Sequence, residues 1–158
     1  MLEQYICQGC KLYTRRDGVK VLNFQGLLEI STAVKNIINK EKISFVTIGN
    51  EVNRDIFKEI VDIESLSILK NAKFDISYVY NLKKLKNLTI DNTYDYVIDF
   101  SKFANLNRLD ISYNKNIVGL NKCSNLTYLK LNNYFEKDLT KIKLPNSLEL
   151  LFVVDSSM

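Results

Sequence analysis

The stretch Leu106-Asn107-Arg108-Leu109-Asp110-Ile111-Ser112-Tyr113-Asn114 places apolar residues at 106, 109 and 111. The same triad stands at Ile43/Val46/Ile48, Ile63/Leu66/Ile68, Leu85/Leu88/Ile90, Leu126/Leu129/Leu131 and Leu148/Leu151/Val153. The triads start at 43, 63, 85, 106, 126 and 148, so they lie 20 to 22 residues apart, and a weaker copy at Val19/Leu22/Phe24 precedes them by 24. Chance does not hold such a register through the whole chain. A fixed period in this range marks a protein built by stacking one kind of unit.

Two shorter periods alternate inside each unit. Around the triads, Leu109-Asp110-Ile111 and Leu129-Lys130-Leu131 alternate apolar with polar, which predicts short strands with one face inward and the other outward. Between the triads the beat becomes three: Ile76, Val79, Leu82 and Leu85; Val97, Phe100, Phe103 and Leu106; Ile117, Leu120, Cys123 and Leu126. Residues i and i+3 eclipse in a 3₁₀ turn, so this beat predicts 3₁₀-like or extended segments rather than α-helices.

Taken together, Leu106-x-x-Leu109-x-Ile111-x-x-Asn114 and the following beat resemble the short leucine-rich repeats of internalins and of a regulatory subunit of protein phosphatase. The resemblance implies an α/β fold. It would be a right-handed leucine-rich repeat solenoid with a parallel β-sheet on the concave face and short helical, 3₁₀ or extended segments on the convex face. It also implies a ladder of asparagines satisfying buried turn groups. Asn114 and Asn71 occupy that slot, while Thr93, Tyr134 and Ser156 stand in the equivalent positions of other repeats.

The ends of the chain depart from the repeat. Tyr5 to Thr14 and Val19 to Phe24 flank Arg15-Arg16-Asp17-Gly18, and Asp-Gly between β-prone runs predicts a hairpin. Residues 1–18 therefore read as an N-terminal capping strand and hairpin, and residues 19–158 as about six or seven repeats. Leu27, Ile30, Val34, Ile37 and Ile38 have helical spacing, predicting an amphipathic helix between Leu27 and Ile43 with Ser31 or Thr32 as its cap. A shorter helix is expected within Val52 to Ile60. Leu144-Pro145-Asn146-Ser147-Leu148 resembles the Leu-Pro-x-x-Leu opening of some bacterial repeats. Leu150, Phe152 and Val154 should point outward from the last strand, so the segment Ser147 to Asp155 is expected to form an interface, most simply a homodimer through this edge.

Composition narrows the chemistry. With 158 residues and 46% apolar content, the chain can enclose one continuous core. No apolar run reaches the ~18 residues of a membrane span, and no signal-peptide core follows Met1, so the reading expects no membrane and a cytoplasmic location. There is no histidine, which removes Ser-His-Asp and Cys-His mechanisms within the chain, and the five glycines form no phosphate-cradling loop. The formal charge of +4 is mild and its lysine groups are short, which disfavours nucleic acid as a partner. Cys7-x-x-Cys10 has neither a second pair nor a histidine to complete a zinc site and falls in a predicted strand. As alternating strand residues the two would face opposite sides. Cys123 fills an apolar slot of its repeat. The expectation is a protein without cofactor, metal or catalytic residues.

A binding partner would meet the polar face of the strands. Repeats starting at Leu106 and Leu126 concentrate Arg108, Asp110, Tyr113, Tyr128, Lys130, Asn132 and Tyr134 there, and the last strand adds Leu150 and Phe152. Tyrosine and arginine are enriched at binding hot spots because they join a large contact area to hydrogen-bonding ends. The alternative is a self-satisfied surface in which Asp110 pairs with Lys130 and Arg108 lies on Tyr128. Asp91 and Asp110 could pair as carboxylates, but Lys130 stands beside Asp110. The expected function is non-catalytic binding of another protein, as in a bacterial immunity or toxin-neutralising protein. The competing reading is an exported adhesin fragment recognising carbohydrate or peptide.

Overall fold

The structure is a computed structural model that describes residues 3–7, 9–26, 30–73, 75–91, 97–134 and 139–154. Its strands are β1 (Glu3–Cys7), β2 (Cys10–Thr14), β3 (Lys20–Gln25), β4 (Phe45–Gly49), β5 (Ser65–Ile68), β6 (Asn87–Ile90), β7 (Ile98–Asp99), β8 (Arg108–Ser112), β9 (Ile117–Val118), β10 (Tyr128–Asn132) and β11 (Leu150–Val154). All except β7 and β9 join one nine-stranded sheet in the order β1-β2-β3-β4-β5-β6-β8-β10-β11, open at both edges rather than closed into a barrel. Pairing is antiparallel from β1 to β3 and parallel from β3 to β11. The fold is thus mixed α/β with a largely parallel sheet.

Each predicted triad supplies one parallel strand, and the register aligns equivalent residues. Leu22, Val46, Leu66, Leu88, Leu109, Leu129 and Leu151 form one column; Phe24, Ile48, Ile68, Ile90, Ile111, Leu131 and Val153 form the next. Every member from β3 to β10 is buried in one continuous core. Sliding a strand by one residue would turn Asp110 or Lys130 inward, so the apolar pattern fixes the register.

The three-residue beat gives 3₁₀ turns at Ile76–Asn81, Phe100–Lys102 and Leu120–Lys122. Two of these open on an Asp-x-Ser sequence. Asp75 accepts the Ser77 N–H at 2.8 Å and Asp99 that of Ser101 at 3.0 Å. The third opens on Gly119 instead, at φ +77°, where a Cβ would lie 2.6 Å from Asp99 Oδ1 and 2.7 Å from Ser101 N. That close approach lets β9 pair in parallel with β7, a small second sheet the sequence pattern did not announce. Val97, expected within the beat, is exposed because it precedes β7 rather than entering the core.

The turns leading into the strands are tied across repeats. Asn105 Nδ2 donates to Lys83 O at 2.7 Å and Asn125 Nδ2 to Ala104 O at 2.8 Å, while Ser147 Oγ donates to Leu126 O at 2.8 Å. These rungs lie just before the triads. After the triads, Asn114 Oδ1 accepts the Asn116 N–H at 2.8 Å, and Asn71 donates to Asn50 Oδ1 in the preceding repeat. Thr93 and Ser156 lie outside the described residues.

At the N-terminal end the hairpin between β2 and β3 forms around Arg15 to Gly18, with Gly18 at φ +82°. The run from Tyr5 to Thr14 is not one strand. It breaks at Gly9, φ +80°, whose absent Cβ would stand 3.0 Å from Gln25 O, and the chain folds back so that Cys7 and Cys10 are register partners. The two cysteines therefore occupy facing positions of a hairpin rather than opposite sides of one strand. Helix α1 (Thr32–Lys40) is capped by Ser31, whose Oγ accepts the Val34 N–H at 3.4 Å. The expected start at Leu27 lies outside the described residues. Helix α2 (Ile56–Glu59) is a single turn placing Ile56 and Phe57 in the core.

Leu109→Ala and Leu129→Ala should each cost on the order of 2 to 5 kcal/mol by urea denaturation, since each opens a cavity in a closed column. Asn125→Ala should cost about 0.5 to 1.5 kcal/mol, the scale of one hydrogen bond. Equal losses at all three positions would show that the columns do not carry the core.

Candidate interaction surface

The sheet face away from the core is organised by the same register. One column runs Val21, Phe45, Ser65, Asn87, Arg108, Tyr128, Leu150; the next runs Asn23, Thr47, Ser67, Thr89, Asp110, Lys130, Phe152. Neighbours in a column are ~4.8 Å apart, so side chains on adjacent strands touch. Val21, beside Tyr13 of β2, is buried. The middle of the face carries small polar groups, with Asn87 Nδ2 donating to Ser65 Oγ at 3.0 Å.

Arg108 and Phe45 stand at the two sides of this polar floor. The Arg15 guanidinium lies 5.7 Å from the Phe45 ring centroid. A shallow depression of about 400 Å³ lies between these groups, lined by Phe45, Ser65, Asn87 and Arg108 together with Arg15 and Glu64. The sequence reading missed the Arg15 end, because a hairpin residue reaches the face only once the hairpin has folded against β4. The alternation of cationic and aromatic residues was the available signal.

The predicted cluster is assembled around Tyr128. The Arg108 guanidinium sits 3.5 Å from the Tyr128 ring centroid, and the opposite neighbour is Phe152, 5.4 Å away between centroids at an interplanar angle of 33°. Asp110 joins two expected residues: Lys130 Nζ is 3.4 Å from its Oδ2, and Asn132 Nδ2 donates to its Oδ1 at 2.5 Å. Leu150 and Phe152 are exposed, at 53% and 47%. Tyr113 is half-buried and meets Tyr134 edge-on at 4.6 Å. Tyr134 itself is corrected from surface to core. It is only 4% exposed, because the turn after β10 directs its ring under Tyr113 rather than onto the strand face.

Electrostatically this is a neutralised polar centre beside an apolar end. Asp110 is satisfied by a cation and an amide, whereas Arg108 has an aromatic face and, among the described residues, no carboxylate in ion-pair range. A planar guanidinium on a ring keeps its edge donors free to meet an incoming carboxylate or carbonyl. Asp91 is exposed and outside this network. Cys123 lies away from the face. Its Sγ donates to Phe100 O at 3.2 Å, and burial pushes the thiol up to about 11.

No family model and no curated protein matches the chain.

The Cys123 environment fixes a sign. An unfolded thiol ionises near its ordinary value of 9.0, while the folded one holds its proton to about 11. The stability this difference supplies is present below pH 9 and is lost as pH rises from 9 to 11. Cys123 should therefore resist iodoacetamide at pH 8 in the folded protein and react once urea unfolds it, read by peptide mass spectrometry. Rapid alkylation without unfolding would contradict the burial.

Proposed function

We propose that this chain is a non-catalytic protein-binding module of leucine-rich repeat type, wound as a right-handed solenoid whose strand face receives another protein. Support for the repeat assignment comes from seven triad-derived strands paired in parallel with equivalent residues aligned, and from return segments that stack, α2 near the turn at Ile76–Asn81 and the Phe100 turn on the Leu120 turn. The observation that carries the binding reading is the Arg108–Tyr128–Phe152 stack at one end of a face whose middle is small and polar. It joins ring area, free guanidinium donors and exposed apolar neighbours, the combination that dominates binding energy at protein interfaces.

Within this class the proposed role is a bacterial immunity or toxin-neutralising protein, in which the face covers a second protein encoded beside it. A wall of pre-aligned strands loses little conformational freedom on binding, which favours tight inhibition. Among the described residues no helix is long and apolar enough to cross a membrane.

The test is coexpression with the product of the adjacent gene, followed by calorimetry on the purified pair. Arg108→Ala and Tyr128→Ala should each weaken binding by roughly 1 to 4 kcal/mol. Their thermal melting curves should stay close to the starting protein. A complex whose affinity ignores both substitutions would overturn the assignment of this face. Absence of any complex, with growth unprotected from that product, would overturn the immunity role.

A further inference from the structure

Building on the protein-binding reading above, we infer that the depression between Arg15 and Arg108 receives an extended acidic segment of the partner protein. One carboxylate of that segment meets each guanidinium, and a small polar residue lies over the floor between them.

The floor runs across the strands. Phe45, Ser65, Asn87 and Arg108 are successive register partners on β4, β5, β6 and β8, so Phe45 and Arg108 stand about 14 Å apart at ~4.8 Å per strand. The Arg15 guanidinium joins at the Phe45 end, 5.7 Å from that ring, and the Arg108 guanidinium closes the other end against Tyr128. Both line the same depression of about 400 Å³. Four residues of extended chain cover about 13 Å, and residues i, i+2 and i+4 share a face. An acidic residue at i and another at i+4 therefore meet the two ends together, with residue i+2 above Ser65 and Asn87.

The charges select an acid. Among the described residues, the two columns of the face between the arginines carry Thr47, Ser65, Ser67, Asn87 and Thr89 and no carboxylate. Glu64, on the rim, is held by Lys86 Nζ at 2.9 Å. Asp17 pairs with Arg15 at 3.0 Å, but both side chains are about half exposed, and such a pair contributes little and exchanges readily for another carboxylate. The donors are side chains only, because β4, β5, β6 and β8 each have a bonded strand on both sides and their backbone N–H groups serve the ladders. Asn87 gives one amide hydrogen to Ser65 Oγ at 3.0 Å. Its second amide hydrogen and the Ser65 hydroxyl hydrogen are left for carbonyls of the segment. Planar guanidinium forks at two ends fit two separate carboxylates, whereas a phosphate is usually enclosed by convergent backbone N–H groups. Two cations are also too few to follow a nucleic-acid backbone.

The probe is the blocked peptide acetyl-Glu-Ser-Ser-Ser-Glu-amide, titrated into the ¹⁵N-labelled 158-residue chain while the side-chain Nε–Hε resonances of Arg15 and Arg108 are followed by NMR. Both resonances should move with one dissociation constant, roughly millimolar for two exposed charge-assisted contacts. Arg15→Gln and Arg108→Gln should each raise that constant at least ~3-fold, as should replacing both glutamates of the peptide by glutamine. Moving the second glutamate one place closer puts it on the opposite face of the peptide and should do the same. Arg16→Gln, exposed in the same hairpin but outside the lining, should leave the constant unchanged. All three substitutions fall on exposed side chains, and the same spectra report folding. An equal loss with Arg16→Gln would reduce the effect to net charge, and inorganic phosphate that displaces the peptide at equal concentration would make this a small-anion site. Either result would overturn the inference, as would a peptide that moves neither arginine or binds regardless of glutamate spacing. The adjacent-gene complex is measured separately. If it forms and depends on Arg108 while the peptide fails, the acidic segment is rejected and the binding face stands; peptide capture with no such complex rejects the immunity role alone.

Discussion

The stacking of apolar columns governs the rest of this structure. A strand of four or five residues with two inward side chains cannot shield them alone; Leu109 needs Leu88 on one side and Leu129 on the other. Burying one such side chain contributes about 1.5 to 3 kcal/mol, so the stability of each unit is set mainly by having neighbours. A column lacks a neighbour only at the edges of the sheet, and the energetic problem concentrates there. The β2–β3 hairpin closes one end by adding antiparallel strands, and Cys10, Leu12, Leu22 and Phe24 are buried beneath it. At β11 the same columns come to the surface.

Stacking also decides where polar groups go. Close apposition of equivalent turns brings backbone carbonyls under side chains one repeat later, and Asn105, Asn125 and Ser147 use that geometry as rungs. The other turns are satisfied locally, through the Asp-x-Ser bonds of Asp75 and Asp99. Gly119 breaks the pattern because the Asp99 carboxylate and Ser101 already fill its Cβ position.

Strand positions were legible from the sequence because period two and the 20-to-22-residue spacing both derive from the core, and the core is what the sequence most directly encodes. The 3₁₀ turns were legible for the same reason. The break at Gly9 was not, since the alternation of Cys10 and Leu12 continues the apparent strand; only the positive φ there reveals the turn. The rungs before the triads were not foreseen, although Asn-Leu recurs at Asn105-Leu106 and Asn125-Leu126. On the open face the column members could be enumerated, but their partners could not. Tyr134 was assigned by position in the repeat and lost to the turn that buries it, and Arg15 reaches Phe45 from a distant segment.

The open face therefore divides by how fully its groups are satisfied. Asp110, Lys130 and Asn132 bind one another, so a partner gains little by replacing those contacts, since a rim-type ion pair is worth about 0 to 1 kcal/mol. Tyr128 and Phe152 are different, because stacked rings still expose edges and the Arg108 donors remain available. Desolvating such groups adds burial without breaking an existing bond. Phe152 belongs to this second set: its ring touches Tyr128 on the face, and its strand lies at the edge of the described sheet.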